Sequence, residues 1–212
     1  MTLVMHKPEF TGLRRVISGG QTGADQGGII SAWGYGLETG GHAPLGWRTS
    51  RGPDIKLKHL GLVEDMSAAY PPRTRLNVKN SDGTVIIGTR MQSPGSVLTY
   101  SLTVQHKKPC KQIGLPEDYT EEDVAREGKA LAAWIRKKHI SVLNVAGNRD
   151  YGDGRGEGDY VHNDMTLRIM TEAFEDLQST GHLVKTGLQC SIDNQTQEAL
   201  NDLGNTVQRS GS

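Results

Sequence analysis

The sequence predicts an α/β fold in which helices cover both faces of a mostly parallel central sheet. Short apolar segments of strand character alternate with longer helical segments along most of the 212 residues, a pattern typical of parallel strands joined by helices. Polar, Gly-rich loops also follow three of the apolar segments, at 18–25, 88–96 and 146–158. Because parallel strands end at one edge of their sheet, we expect these loops to meet where proteins of this class bind ligands.

The length of the chain suits one domain, which we place at 1–178, followed by a polar C-terminal extension at 179–212. Lys plus Arg equals Asp plus Glu at 24 each, so the charge indicates no nucleic-acid or membrane partner. The two cysteines, Cys110 and Cys190, lack metal-ligand spacing and are expected to be free thiols in a reducing compartment. No apolar run has membrane-spanning length and no signal-peptide core is present, so we expect a cytoplasmic protein.

The order of the elements follows from the periodicity of apolar residues and from the turn residues between them. The predicted strands lie at 14–18, 37–40, 60–64, 84–87, 109–113 and 140–146. The predicted helices lie at 23–34, 70–80, 96–107, 120–138 and 160–178, with a further short helix near 194–203. The fourth helix has the strongest local signals, because Thr120 and Asp123 stand at capping-box spacing. A long loop at 40–54, rich in Gly, Pro and Arg, is expected to be functional and to hold a fixed shape.

The first Gly-rich loop is the stretch around which the candidate site is built. Gly19 and Gly20 allow a sharp turn and leave no side chain over the backbone. Either Gln21 or Thr22 is expected to cap the helix, and 23–25 would form its first turn. Free N–H groups and the positive end of the helix dipole would then present a site for an anion, most often a phosphate. The alternative is a tight strand-to-helix connection that binds nothing.

The candidate loops also contain side chains that suit phosphate and ribose oxygens. The hydroxyl and amide donors are Gln21, Thr22, Thr89, Ser93, Ser96 and Thr99. Ser96 stands where an N-cap would be, so helix capping and ligand contact are equally favoured for it. Asp25 either accepts a hydrogen bond from the ligand or only interacts with the helix dipole. The arginines that could supply charge, each of them also compatible with a solvated position, are Arg48, Arg51, Arg73, Arg75 and Arg90.

Neither a metal site nor a catalytic triad is evident from the spacing of residues. The histidines form no metal-ligand triad, so we expect no bound metal ion. His42 is the only histidine in the candidate loops apart from the distal His162. No Ser–His–Asp or Cys–His arrangement has persuasive placement, although one can form in space from distant positions.

Six ordered sequence blocks resemble the molybdenum carrier family, also called molybdenum cofactor carrier proteins. The blocks are SGGQTGAD at 18–25, GGHAPLGWRT at 40–49, YPPRT at 70–74, NVKNSDGT at 77–84, SPGSVLT at 93–99 and VLNVAGNR at 142–149. That family is similar to the LOG, or lysine-decarboxylase-like, group of SLOG domains. The resemblance implies a Rossmann-like three-layer sandwich, a small anionic ligand and a homo-oligomer, either a dimer or a tetramer. It also implies the molybdenum cofactor, a pterin that carries a phosphate, as the ligand.

The resemblance and the loop chemistry together predict which residues contact this ligand. The predicted ligand-binding residues are Gly19, Gly20, Gln21, Thr22, Gly23, Asp25, Arg48, Arg75, Thr89, Pro94, Gly95, Ser96, Thr99, Gly147 and Asn148. Gln26 departs from the family pattern, in which Arg is common, and this removes one charge near the anion. If the ligand is not the molybdenum cofactor, the same groups suit a nucleotide.

Two functions remain open at the level of the sequence. The favoured one is a non-enzymatic carrier or storage protein for the molybdenum cofactor. The alternative is a nucleotide-binding sensor, or a hydrolase acting on a nucleotide or nucleotide-derived signal, with Asp25, Asp150 or Asp153 as acid or base. Glycosidase activity of the LOG type is disfavoured, because Ser101 and Leu102 stand where those enzymes have acidic residues.

Overall fold

The computed structural model describes residues 10–150 and 161–186, and its centre is a six-stranded parallel sheet. The strands of this sheet are β1 (Arg15–Ser18), β2 (Glu38–Ala43), β5 (Leu62–Glu64), β6 (Gly83–Gly88), β7 (Cys110–Gly114) and β8 (Val142–Gly147). Two short strands, β3 (Arg48–Thr49) and β4 (Gly52–Pro53), form a separate hairpin. The order across the sheet is β5-β2-β1-β8-β6-β7, and every pairing is parallel. The last strand is therefore inserted between β1 and β6. The predicted α/β, Rossmann-like fold is confirmed.

Helices form two layers, one on each face of the sheet. They are α1 (Ala24–Gly34), α2 (Tyr70–Asn80), α3 (Pro94–Gln105), α4 (Glu121–Lys138) and α5 (Val161–Ser179). Helices α1, α4 and α5 pack together over the main core, whereas α2 and α3 pack on the other face. Val16, Leu143 and Val145 point into the main core and are fully buried. Gly28 lets α1 approach this core closely, because a Cβ there would lie 2.5 Å from Val145.

The start of α1 differs from the sequence prediction. Its N-cap residue is Gly23, at φ 86°, and no side chain caps the helix, so the expected cap by Gln21 or Thr22 is wrong. The reason is a contact with the loop after β8, because the Ala24 N–H donates to the carbonyl of Asn148 at 3.0 Å. Tertiary contact thus replaces a local cap.

The start of α3 also differs. Ser93 is the N-cap residue, and its Oγ accepts the Ser96 N–H at 3.3 Å. Pro94 at the first helical position fits this arrangement, since proline has no N–H to satisfy. Ser96 therefore lies within the first turn, and of the two roles left open for it, capping and ligand contact, the cap is wrong. The cap predicted for α4 is confirmed, because Thr120 and Asp123 form a complete capping box.

The predicted loop at 40–54 has more regular structure than expected. Strand β2 continues to Ala43, the β3–β4 hairpin follows, and a 3-10 helix spans Ile55–Lys58. Leu57 and Leu62 lie in a small second core on this side of α1. Trp47 packs against this second core, so the loop is held by packing, as its Pro and Trp content indicates.

The described part of the C-terminal extension packs against the domain. Leu13 donates its N–H to the His182 carbonyl at 2.8 Å and accepts the Val184 N–H at 2.8 Å. The Thr186 N–H donates to the Gly36 carbonyl at 3.0 Å. The predicted helix near 194–203 lies outside the described residues. Across residues 10–150 and 161–186, no helix combines the length and apolar character that a membrane span needs.

Candidate functional site

A cleft of about 350 Å³ opens at the carboxyl ends of β1, β8 and β6. Its walls come from α2 and from the first turns of α3, and β8 supplies its floor. The lining residues are Gln21, Asp25, Tyr70, Pro71, Arg73, Thr74, Asn77, Arg90, Ser93, Pro94, Gly95, Leu98, Thr99, Asn144, Ala146, Gly147, Asn148, Arg149 and His162. All three candidate loops contribute, so their predicted convergence is confirmed, except for 151–158, which lies outside the described residues.

A buried ion pair joins the first loop to α2 at one side of the cleft. Arg73 Nη1 lies 3.0 Å from Asp25 Oδ2, and both side chains are buried. Burial raises the pKa of the Asp25 carboxyl, and the Arg73 guanidinium opposes that rise. The guanidinium occupies the space above Gly19, where any Cβ would overlap it. The chain therefore supplies its own cation at this helix start, and Gly19 is required by the close approach of Arg73.

The backbone of the first loop is largely satisfied within the protein. The Gly20 N–H donates to Ser18 Oγ at 3.2 Å, and the Thr22 N–H donates to Gln21 Oε1 at 3.0 Å. The Gln26 N–H donates to the Gln21 carbonyl at 3.2 Å. For these residues, the expectation of free N–H groups at the start of α1 is wrong, because neighbouring oxygens already accept from them.

Gly20 faces away from the cleft. Its φ is +69°, and a Cβ there would lie 2.7 Å from Leu57 Cδ1 and 2.9 Å from Leu62 Cδ2. These two leucines belong to the small second core. Gly20 is therefore needed for the turn and for packing, and the expectation that it keeps the approach of an anion clear is wrong.

The side chain of Asn148 ties the second loop to the third. Its Oδ1 accepts the Arg90 N–H at 2.6 Å, and its Nδ2 donates to the Arg90 carbonyl at 3.0 Å and to Ser93 Oγ at 3.1 Å. The neighbouring Gly88 has φ +159°, and a Cβ there would overlap the Asn148 side chain. These contacts hold Arg90 and the start of α3 at the cleft. The start of α3 is open at Gly95, which lines the cleft, because a Cβ there would meet no atom within 4 Å.

The floor of the cleft carries a polar side chain on an otherwise apolar strand. Asn144, in the middle of β8, is 2% exposed, and its Nδ2 donates to Thr84 Oγ1 at 3.2 Å. Within the described chain, no hydrogen bond reaches Asn144 Oδ1. Because Asn144 lines the cleft, this oxygen is the group on the floor that best suits an N–H donor of a ligand.

A histidine that the sequence places far from the site lines the cleft. His162, near the start of α5, accepts or donates at both ring nitrogens, with Nδ1 3.2 Å from Asp150 Oδ1 and Nε2 3.1 Å from Thr89 Oγ1. The expectation that His162 is distal is wrong. No spacing signal indicates this contact, because it joins the loops after β6 and β8 to the next helix.

The predicted ligand-binding residues fall into three groups. Those that line the cleft are Gln21, Asp25, Pro94, Gly95, Thr99, Gly147 and Asn148. Those that lie behind the lining are Gly19, Gly20, Thr22, Gly23, Thr89 and Ser96. Arg48 and Arg75 are exposed and do not line the cleft.

Several lining residues were not on the list of predicted contacts, although Arg73 was one of the arginines that could supply charge. Two sequence signals could have found them. Tyr70, Arg73, Thr74 and Asn77 recur at helical spacing and share the face of α2 that forms the wall. Asn144 interrupts an apolar strand, which indicates a buried polar role. Both signals lie inside blocks that carry the family resemblance.

The fold and the cleft define an α/β protein whose candidate site lies at the switch point of a parallel sheet. The sequence model of the circularly permutated YpsA SLOG family matches residues 16–158. A crystal structure named "Putative molybdenum carrier protein" from Syntrophus aciditrophicus SB is 32% identical, with a TM-score of 0.66, over 78% of this chain and 97% of that one. No curated protein matches the sequence. The chain belongs to the circularly permuted YpsA SLOG family, and the resemblance to molybdenum carriers is confirmed.

Proposed function

We propose that the cleft binds a small molecule made of a heterocycle and a phosphate, and that the protein is a carrier of the molybdenum cofactor. The observation that carries this proposal is the combination, in one cleft, of a floor oxygen on Asn144 to which no described residue donates with Arg90 and the start of α3 at the rim. Support for the identity of the ligand comes from the name of the structural neighbour, a molybdenum carrier.

The chemistry of the cleft suits the two ends of such a ligand. A phosphate is stabilised by arginine and by the positive end of a helix, which Arg90, Arg149 and the first turn of α3 supply. A pterin or purine has ring N–H donors that can pair with Asn144 Oδ1, and Tyr70 offers an aromatic wall. A volume of about 350 Å³ is within the usual range for a small-molecule site.

The Arg73 guanidinium at the other side of the cleft sets the orientation that we propose for the ligand. Arg73 is paired with Asp25, so the pair is close to neutral and attracts an anion weakly. We place the phosphate toward the first turn of α3, and the heterocycle over Asn144 and toward α2.

Native mass spectrometry of freshly purified protein tests this proposal and gives the number of subunits at the same time. We expect a retained small molecule that denaturation releases as molybdopterin. Release of a nucleotide instead would keep the phosphate-and-heterocycle site but overturn the molybdenum cofactor as its ligand.

Variants then locate the site. Leaving a buried donor of the ligand unpaired costs about 1–3 kcal/mol, so Asn144→Leu should weaken retention by roughly 5- to 150-fold. Arg90→Ala should weaken it more at low ionic strength than at high ionic strength. Arg75→Ala is the matched control, because this arginine is exposed on α2 outside the cleft. Equal retention in all three variants would contradict the proposed site.

A further inference from the structure

The side-chain amide of Gln21 is held in one orientation at the edge of the cleft. Its Oε1 accepts two backbone N–H groups, from Thr22 at 3.0 Å and from Ser50 at 2.7 Å. A backbone N–H can only donate, so the amide cannot turn round without losing both bonds. No described residue accepts from Gln21 Nε2. Because Gln21 lines the cleft, the group that it leaves for a ligand is an N–H donor.

Arg73 places a second donor beside Gln21. The Gln21 backbone N–H and Arg73 Nη1 both donate to Asp25 Oδ2, at 3.3 Å and 3.0 Å. Within the described chain, the hydrogen bonds of Arg73 use Nη1 alone, although every nitrogen of a guanidinium can donate. Its charge is already balanced by Asp25. The donors that remain on Arg73 therefore suit a neutral carbonyl oxygen better than a phosphate.

The floor of the cleft supplies the complementary acceptor. Asn144 donates from Nδ2 to Thr84 Oγ1, and no described residue donates to Asn144 Oδ1. Asn144 is the register partner of Ile17 on β1, so this acceptor lies on the strand next to the one that leads to Gln21. A carbonyl oxygen has two lone pairs and can accept from both Gln21 and Arg73. A ring N–H beside that carbonyl would then face Asn144.

We propose that Gln21, Arg73 and Asn144 select a heterocycle with a lactam edge, in which a ring N–H stands next to a carbonyl group. Gln21 and Arg73 donate to the carbonyl oxygen, and Asn144 accepts the N–H. The 4-oxopterins and 6-oxopurines have this edge. Adenine has an amino group and an unprotonated ring nitrogen there, and that nitrogen has a single lone pair for two donors. The inference rests on the proposed function and narrows its ligand class, because it excludes adenine nucleotides.

Inosine 5′-monophosphate (IMP) and adenosine 5′-monophosphate (AMP) test this selection, because they share the ribose and the phosphate and differ only at this edge of the purine. Full-length protein, freed of any retained small molecule as judged by native mass spectrometry, is titrated calorimetrically with each nucleotide. IMP should bind roughly 5- to 150-fold more tightly than AMP, because AMP leaves buried polar groups unpaired. IMP methylated at N1 should also bind more weakly than IMP, since it keeps the carbonyl group but loses the N–H.

Variants of the full-length protein assign the selection to these side chains. Gln21→Glu keeps an oxygen for both backbone N–H groups and changes only the group that faces the cleft, from a donor to an acceptor. This variant should lose the preference for IMP over AMP, and so should Asn144→Leu. Gln105→Glu makes the same exchange at an exposed position on α3 outside the cleft, and it should keep the preference. Thermal unfolding of each variant shows whether it is folded.

The outcomes separate this inference from the proposed function. Equal affinities for IMP and AMP in the wild-type protein, or tighter binding of AMP, would overturn the lactam edge and leave the phosphate-and-heterocycle site intact. Binding of neither nucleotide would also overturn it, and the carrier would still stand if the fresh protein releases molybdopterin on denaturation. A preference for IMP in a protein that retains no small molecule on purification would support the lactam edge and count against the carrier.

Discussion

The buried pair between Arg73 and Asp25 allows a prediction whose size and pH dependence both follow from the structure. Arg73→Met keeps the length of the side chain but removes the charge that faces Asp25 at 3.0 Å. Breaking a buried ion pair by removing one partner typically costs about 3–5 kcal/mol, because the other charge stays buried and uncompensated. In a domain of this size, that loss corresponds to a fall in melting temperature of roughly 6–20 °C.

The loss of folding stability in Arg73→Met should grow as pH rises. Burial raises the pKa of Asp25 above its ordinary value, and Arg73 opposes this rise, so removing Arg73 raises the folded-state pKa further. Below the ordinary pKa, Asp25 is protonated in both the folded and unfolded states, and the variant loses least. As pH rises through the raised folded-state pKa, the unfolded state ionises freely while the folded state resists, so the loss grows to its full size.

Thermal and urea unfolding at about pH 4 and about pH 7 measure this difference. Asp25→Asn combined with Arg73→Met should recover much of the stability at the higher pH, because no buried charge remains. Arg75→Met is the control two residues along α2, where the side chain is exposed and a change within about 0.5 kcal/mol is expected. A loss in Arg73→Met that is equal at the two pH values, or no larger than that of the control, would refute the role of Asp25 ionisation.

Three further predictions concern stability. Gly19→Ala places a Cβ where a guanidinium nitrogen lies and should destabilise by about 1–3 kcal/mol in urea unfolding, whereas Gly34→Ala, with no atom within 4 Å, should not. Thr120→Ala removes the capping box of α4 and should lower the free energy of unfolding by about 1 kcal/mol; unchanged unfolding would mean that α4 is stabilised by packing alone. Burial and a neighbouring carboxylate raise the pKa of Tyr119 from 10.0 to about 12, so its stabilising contribution is complete below pH 10.0 and is lost as pH rises to about 12. Tyr119→Phe should therefore flatten the alkaline part of the stability profile in urea unfolding, and a profile as steep as that of the wild type would contradict this.

Local signals in the sequence were sufficient to predict most of the helices and strands. Helix α2 begins and ends at the predicted residues, Tyr70 and Asn80, and the capping box of α4 forms as its spacing indicates. These features depend on groups within one or two turns of each other, so they can be recognised without knowing the fold. The caps considered for α1 and α3 were wrong because other groups satisfy the backbone there. At α1 the Asn148 carbonyl accepts the Ala24 N–H, and at α3 the N-cap is Ser93.

In the candidate site, too, some features follow from the sequence and others only from the tertiary structure. The alternation of segments by itself determined a parallel sheet with three polar loops at one edge, because strand direction follows from helical crossovers. Only the tertiary structure decided which groups in those loops face the cleft, because β8 is inserted between β1 and β6. That insertion brings Thr89 into contact with His162, 73 positions apart. The packing of α2 beside the start of α1 likewise brings Arg73 into contact with Asp25, 48 positions apart. Contacts at such separations depend on strand order and helix packing, and no local periodicity in the sequence encodes either.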